Sequence, residues 1–249
     1  MNFVDVQGLG IRAGARMLID ALDWQVRPGE FWCVLGRNGA GKSMLLHALS
    51  GLRAAERGTI RIDGRAIDAI ALADLARLRG LMPQQATDSF SCAVGDAVAI
   101  ARTPWQVDGT REDDEVMRRV RDALSRVGML DRIDDDITRL SGGERQRVAF
   151  AAMLVQEPAL MLFDEPTSHQ DVAQQLLLMR LMRQLSEQHA VVATCHDINL
   201  AARFATHVLL LGADFYCAGE AGQVLTTGLL GQAFGCTLSR QGAYFVTCE

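Results

Sequence analysis

Residues 31–50 read FWCVLGRNGAGKSMLLHALS, and this stretch decides the fold. Phe31 to Leu35 is a short apolar run that reads as a buried strand. Gly36-Arg37-Asn38-Gly39-Ala40-Gly41-Lys42-Ser43 follows at once and matches GxxxxGK[ST]. Met44 to Ser50 then reads as a helix, with Gly51 as its stop. In this order the glycines let backbone N–H groups turn inward around phosphate oxygens, and the helix N-terminus adds partial positive charge. Lys42 is placed to reach the β and γ phosphates of a nucleoside triphosphate, and the Ser43 hydroxyl to hold Mg²⁺.

Composition sharpens this reading. Of 25 basic residues only Lys42 is a lysine, the rest being arginines. A bias toward arginine codons explains the scarcity of lysine but not the position of the survivor. A compact ammonium fits among phosphate oxygens in a tight loop where a planar guanidinium does not. The net charge is −5, and no run of basic residues forms a stripe that could track a nucleic-acid backbone, so nucleic acid is not expected as a partner. The longest apolar run, Val148 to Val155, is far short of the roughly 20 residues that cross a bilayer. No N-terminal secretion signal is evident, so a cytoplasmic location is expected. The six cysteines are scattered without metal-type spacing and read as reduced.

Outward from the loop, Thr59-Ile60-Arg61-Ile62 alternates and ends in Asp63-Gly64, a hairpin signal. The N-terminal third is therefore expected to be an antiparallel element around the phosphate loop. From about residue 86 to 152 the pattern is helical, with Val116, Val120, Leu124 and Val127 at helical spacing and Gly128 as a stop. That segment opens with a polar loop around Asp88 to Ser91 and carries the acids Glu112 to Glu115, read as a solvated helix start. Leu160–Phe163, Val191–Thr194 and Val208–Leu211 are short apolar runs, the first two separated by a helical stretch from Asp171 to Gln188. Strands alternating with helices imply a parallel sheet. The expected organisation is one α/β domain over 1–249, with a core of 1–85 and 153–249 and an inserted helical lobe at about 86–152.

Two further stretches carry chemistry. LMLFDE, residues 160–165, delivers Asp164 and Glu165 at the carboxyl end of a strand, where α/β sheets bind ligands. Beside a phosphate loop, Asp164 is assigned to Mg²⁺ through water and Glu165 to the base that polarises the attacking water. Leu140-Ser141-Gly142-Gly143-Glu144 precedes RQRVAFA, and Ser141 and Glu144 have capping-box spacing. Two glycines in a first turn cost up to about 1 kcal/mol each relative to alanine, which a plain cap would avoid. Open backbone at a positive helix end suits a γ-phosphate.

Over nearly its whole length the chain resembles the ABC ATPase family. LSGGERQRV is similar to that family's signature, and the order matches: phosphate loop, Gln84 after Met82-Pro83, signature, LMLFDEPT, Asp171 and His196. The fold implied is a P-loop NTPase core with a parallel sheet, an N-terminal antiparallel β element and an inserted helical lobe. The resemblance implies ATP hydrolysis with ATP and Mg²⁺ in a head-to-tail dimer, where Ser141, Gly142 and Gly143 of one copy close on ATP held by Lys42 of the other. Gln84 would then sense Mg²⁺ and the attacking water and relay nucleotide state to a membrane partner, Gln85 being the neighbouring candidate. His196 would contact the γ-phosphate as the switch histidine, and Asp171 would belong to the nucleotide interface. His47, His169, His189 and His207 receive no role.

HDINLAARFATHVLLL looks most like the subunits that drive uptake of iron-siderophore, haem or cobalamin complexes. By that resemblance the partners are separate integral-membrane permease subunits and a substrate-binding protein, at the inner face of the cell membrane. The competing reading, a non-transport ABC ATPase of ribosomes or DNA, would need a second cassette or long coiled coils, and no sustained heptads are present. Two departures from the family stand out: no aromatic lies near Arg12 and Ala13 to stack on adenine, leaving Arg12 or Arg16 to lie over the ring, and Gln170 precedes Asp171 where an apolar residue is usual.

Overall fold

The computed structural model of the chain describes residues 3–84, 90–105, 113–168 and 170–248. Gln85, the Asp88 and Ser89 part of the polar loop, Glu112 and His169 lie outside the described residues. The chain opens with β1 (Val4–Ala13) and β2 (Arg16–Val26), continues through β3 (Phe31–Gly36) into α1 (Lys42–Leu49), and forms a hairpin from β4 (Arg57–Ile62) and β5 (Arg65–Ala66). Asp63 and Gly64 join that hairpin with φ of 49° and 74°, the two positive values that a tight primed turn demands. These strands form an antiparallel sheet in the order β2-β1-β4-β5.

Strand β3 does not belong to it. The expected antiparallel element and parallel core are both present, and β3 lies in the interior of the second, a separate six-stranded sheet, paired in parallel with two later strands. The reason is burial: all six of its residues are buried, and only a strand covered on both faces is apolar at every position.

After α2 (Leu72–Leu78) and β6 (Arg79–Met82) come α3 (Val94–Ala99), α4 (Asp113–Arg126) and α5 (Gly142–Gln156). Val120, Leu124 and Val127 are buried, as their spacing predicts, and Gly128 ends the run at φ 67°. The chain then returns to the sheet through β7 (Leu160–Phe163), α6 (Val172–Leu185), β8 (Ala190–Thr194), α7 (Ile198–Phe204) and β9 (His207–Leu211). It closes with β10 (Tyr216–Glu220), α8 (Ala221–Val224), α9 (Thr227–Phe234) and a hairpin of β11 (Leu238–Gln241) and β12 (Tyr244–Thr247). The central sheet runs β10-β9-β3-β8-β7-β6, parallel except for the β10 edge.

Alternate side chains of this sheet feed two cores. Phe31, Cys33, Leu35, Met161, Phe163 and Val191 pack with α4, α5 and α6. Trp32, Val34, Leu160, Leu162 and Val192 pack against α1 and the antiparallel sheet. Among the described residues no helix is long and apolar enough to cross a membrane.

Helix α1 begins at Lys42, two residues before the start read from sequence. Gly41 is its N-cap in a left-handed conformation, φ 96°, and its carbonyl accepts the first helical bond from Leu45 N at 2.8 Å. A residue with a Cβ is strained there, so the glycine lets the helix start at the lysine.

Candidate functional site

Because β3, β8, β7 and β6 are parallel neighbours, the segments leaving their carboxyl ends meet at one edge of the sheet. Those segments carry the Gly36–Ser43 loop, His196, Asp164 with Glu165, and Gln84 in turn. Among the described residues the buried polar side chains are Lys42, Ser50, Gln146, Asp164, Thr167, Ser186 and Thr194, and most of them belong to this edge. Burying polar groups is costly unless they are partnered, so their concentration marks a built site.

Lys42 is only 6% exposed. Its Nζ donates to the carbonyls of Gly36, at 2.9 Å, and Arg37, at 3.2 Å, so the loop curls around its own ammonium. Burial pushes the Lys42 pKa below its ordinary value, while the carboxylates of Glu165 and then Asp164 pull it upward. Ser43, half-buried, sits beside it in the first turn of α1. Arg37, Asn38 and Gly39 are exposed, leaving the mouth of the loop open to a ligand.

Glu165 is the hub of the site. Its Oε2 accepts from Gln84 Nε2 at 2.6 Å and from Ser168 Oγ at 3.0 Å, and its Oε1 pairs with His196 Nε2. Gln84 and His196, both distant in sequence from Glu165, thus converge with the nearby Ser168 on one carboxylate. Glu165 also has φ 50°, a left-handed conformation that is uncommon for a non-glycine residue and clusters at functional sites. Its backbone is pinned on both sides: its N–H donates to Thr194 Oγ1 at 2.7 Å, and its carbonyl accepts from Gln146 Nε2 at 2.8 Å. Thr194 Oγ1 in turn donates to Asp164 Oδ1 at 2.7 Å.

Ser141 is the N-cap of α5 in a complete capping box with Glu144. The Ser141 backbone N–H, 2.9 Å from Glu144 Oε2, and then its hydroxyl hold that carboxyl below the usual carboxylate range. Ser141 and Gly142 are exposed, and a Cβ built on Gly142 meets nothing within 4 Å. Among the described residues no hydrogen bond joins the Ser141–Gly143 turn to the Gly36–Ser43 loop. Within the chain the turn is open to solvent at Ser141 and Gly142. It is nonetheless tied to Glu165: Gln170 Nε2 donates to Gly143 O at 2.8 Å and to Gln146 Oε1 at 3.2 Å. Asp171 is not drawn into the cluster; its carboxylate caps α6 by accepting from Gln174 N at 2.9 Å.

The donor set suits a hard divalent cation. Asp164, 3% exposed with Thr194 as its donor, and the half-buried Ser43 hydroxyl carry hard oxygen atoms of the kind that could hold Mg²⁺, directly or through water. A Cβ on Gly41 would lie 3.2 Å from Leu18 Cβ, so the β1–β2 hairpin flanks the phosphate loop. On that hairpin the Arg12 guanidinium is tied to Ala15 O at 3.2 Å and Glu56 at 3.5 Å, and Arg16 is exposed.

Sequence reasoning missed Thr194, Ser168 and Gln146. Thr194 had a signal, being the one hydroxyl in the otherwise apolar strand AVVAT.

A family profile described as "ABC transporter" matches residues 19–168. The "Hemin import ATP-binding protein HmuV" of Streptomyces coelicolor is 38% identical over 229 residues, covering 91% of this chain and 81% of the relative. The "Iron(3+)-hydroxamate import ATP-binding protein FhuC" of Bacillus subtilis is 32% identical over 237 residues, covering 94% and 88%. Among solved structures, cbiO1 from Clostridium perfringens, part of the ABC transporter complex cbiONQ, superposes with a TM-score of 0.77 at 25% identity, covering 92% of each chain.

Proposed function

The chain belongs to the ABC transporter family as an ATP-binding and ATP-hydrolysing subunit, and on that premise we propose that it powers import of an iron chelate, haem or cobalamin through separate membrane subunits. The observation that carries this reading is the convergence of Gln84, Ser168 and His196 on the Glu165 carboxylate, beside a lysine-bearing phosphate loop.

In this reading Lys42 leaves the carbonyls of Gly36 and Arg37 to neutralise the β and γ phosphates of ATP, with backbone N–H groups of residues 36–43 cradling the rest. Mg²⁺, held by Ser43 and through water by Asp164, would offset phosphate charge, with Gln84 sensing it. Glu165 polarises the attacking water, and His196 contacts the γ-phosphate. The outward-facing Ser141, Gly142 and Gly143 of one copy close on the ATP held by Lys42 of a second, in a head-to-tail dimer. Asp171, at the start of α6, lies at the edge of that interface. The single-domain division into a core of 1–85 and 153–249 and a lobe of about 86–152 belongs to the same proposal. So does docking on permease subunits at the cytoplasmic face of the membrane, with a substrate-binding protein in the full system. The hemin and ferric-hydroxamate importers among the relatives favour a metal-chelate cargo.

The test is Glu165→Gln, which keeps the size of the side chain while removing the base. ATP affinity should stay within about threefold of wild type while phosphate release falls by roughly 10²–10⁴-fold, the usual contribution of a positioned base. Wild-type turnover in that variant removes Glu165 from its role. Co-purification with ribosomes instead of an integral-membrane protein would overturn the transport reading.

A further inference from the structure

We infer that Thr194 is a positioning residue for both carboxylates of the hydrolytic site, setting the backbone from which Glu165 acts. The inference rests on the reading of Glu165 as the base. Thr194 ends β8, where every residue is buried, and Thr194 itself is 1% exposed. Strand register puts Phe163 opposite Ala193, so the next residues, Asp164 and Thr194, face one another across the end of the sheet. A valine would fill the same shape in this apolar strand, and packing alone gives no reason for a hydroxyl.

The hydroxyl uses both of its capacities on adjacent residues of the neighbouring strand. It accepts the Glu165 backbone N–H at 2.7 Å and donates to Asp164 Oδ1 at 2.7 Å. Between those two bonded groups the chain turns into the left-handed conformation of Glu165, φ 50°. Such a conformation persists only where its surroundings over-determine it. Here the determinants are Thr194 on the N–H, with Gln146 and the backbone N–H of Ser168, at 3.1 Å, on the carbonyl. This turn takes the Glu165 side chain out of the line of β7 and presents its carboxylate to Gln84, Ser168 and His196.

Removing the hydroxyl leaves the Glu165 N–H without its acceptor and deprives Asp164 of its donor, so the backbone relaxes and the carboxylate shifts. A displacement of about 1 Å at a reacting group costs on the order of 10²-fold in rate. The Thr194 hydroxyl bonds to Glu165 N and Asp164 Oδ1 and not to the phosphate-gripping groups, Lys42 and the loop amides. The signature is therefore a split between turnover and nucleotide affinity, which a merely structural role would not produce.

The experiment compares wild type, Thr194→Val, Thr194→Ala and Thr194→Ser in the purified full chain, measuring ATP affinity, phosphate release and the melting temperature. The valine variant, or the alanine variant where valine is tolerated less well, should lose about tenfold to a hundredfold in kcat with ATP affinity within about threefold. Thr194→Ser, which retains the hydroxyl, should return kcat to within about threefold of wild type. Turnover unchanged without the hydroxyl overturns the inference. So does a serine variant as impaired as the valine one, since the methyl group would then matter, or a loss of affinity that matches the loss of turnover. Wild type that splits no ATP instead removes the reading of the site on which the inference stands.

Discussion

Lys42→Met is the most informative single perturbation, because the ammonium is unique in the chain and its surroundings are defined. Methionine has similar length and no charge. In the nucleotide-free protein Lys42 makes two hydrogen bonds to loop carbonyls, and its lowered pKa has burial as the largest cause. The substitution therefore removes two favourable bonds and one unfavourable burial of charge, terms of opposite sign. Net stability should move by no more than about 1 kcal/mol, or roughly 2–4 °C in Tm for a chain of this size. Nucleotide binding has no such cancellation. Hydrogen bonds to charged groups contribute about 1.5–3 kcal/mol each, so losing contacts to two phosphates costs about 3–6 kcal/mol, or roughly 10²–10⁴-fold in Kd. A thermal-shift titration reads both quantities. At one hundred times the wild-type Kd, Mg-ATP stabilises the wild type by about 2.7 kcal/mol, and this shift should fall to about 0.4 kcal/mol or less in the variant. The sign with pH is also fixed. A folded pKa below the ordinary 10.5 means that the native state binds fewer protons there, so the cost of burying the ammonium is fully present below the lowered pKa and is relieved as pH rises toward 10.5. Any stability advantage of methionine should accordingly be largest near neutral pH. A variant that binds ATP within about threefold of wild type, with an equal nucleotide-dependent shift, would refute the reasoning.

Ser141→Ala removes the hydroxyl of the α5 capping box and should cost about 1 kcal/mol, seen in calorimetry as a Tm lower by roughly 2–4 °C without nucleotide. An unchanged Tm would show that the cap does not hold the helix. The exposed Cys236 and Cys248 should react readily with a maleimide at neutral pH, whereas Cys33 and Cys195 should be modified only after unfolding. Both of the latter are buried, and burial pushes the Cys195 thiol up to about 12 and Cys33 well above its ordinary value. Mass spectrometry of peptides from native and denatured samples checks this, and rapid native labelling of Cys195 would contradict its burial.

What the sequence by itself determined is what short-range chemistry can encode. A strand, a glycine loop, a lone lysine and a helix are contiguous from Phe31 to Leu49, so the strand–loop–helix unit was legible to within two residues at the helix start. The Asp63-Gly64 turn, the Ser141 to Glu144 cap and the apolar strands Leu160–Phe163 and Val191–Thr194 were legible for the same reason: each signal fits within a few residues. The neighbours of β3 were not legible, because pairing partners more than a hundred residues away, β8 and β9, leave no mark on its own sequence. Tertiary structure alone decided that Gln84 and His196 share one carboxylate, that Gln146 and Gln170 tie the Gly143 turn to Glu165, and that Thr194 bridges Asp164 and Glu165. Those contacts depend on the parallel register of β6, β7 and β8 and on the left-handed backbone of Glu165. Both are properties of the assembled sheet, where hydrogen bonds between segments distant in sequence offset the local cost of an unfavourable conformation.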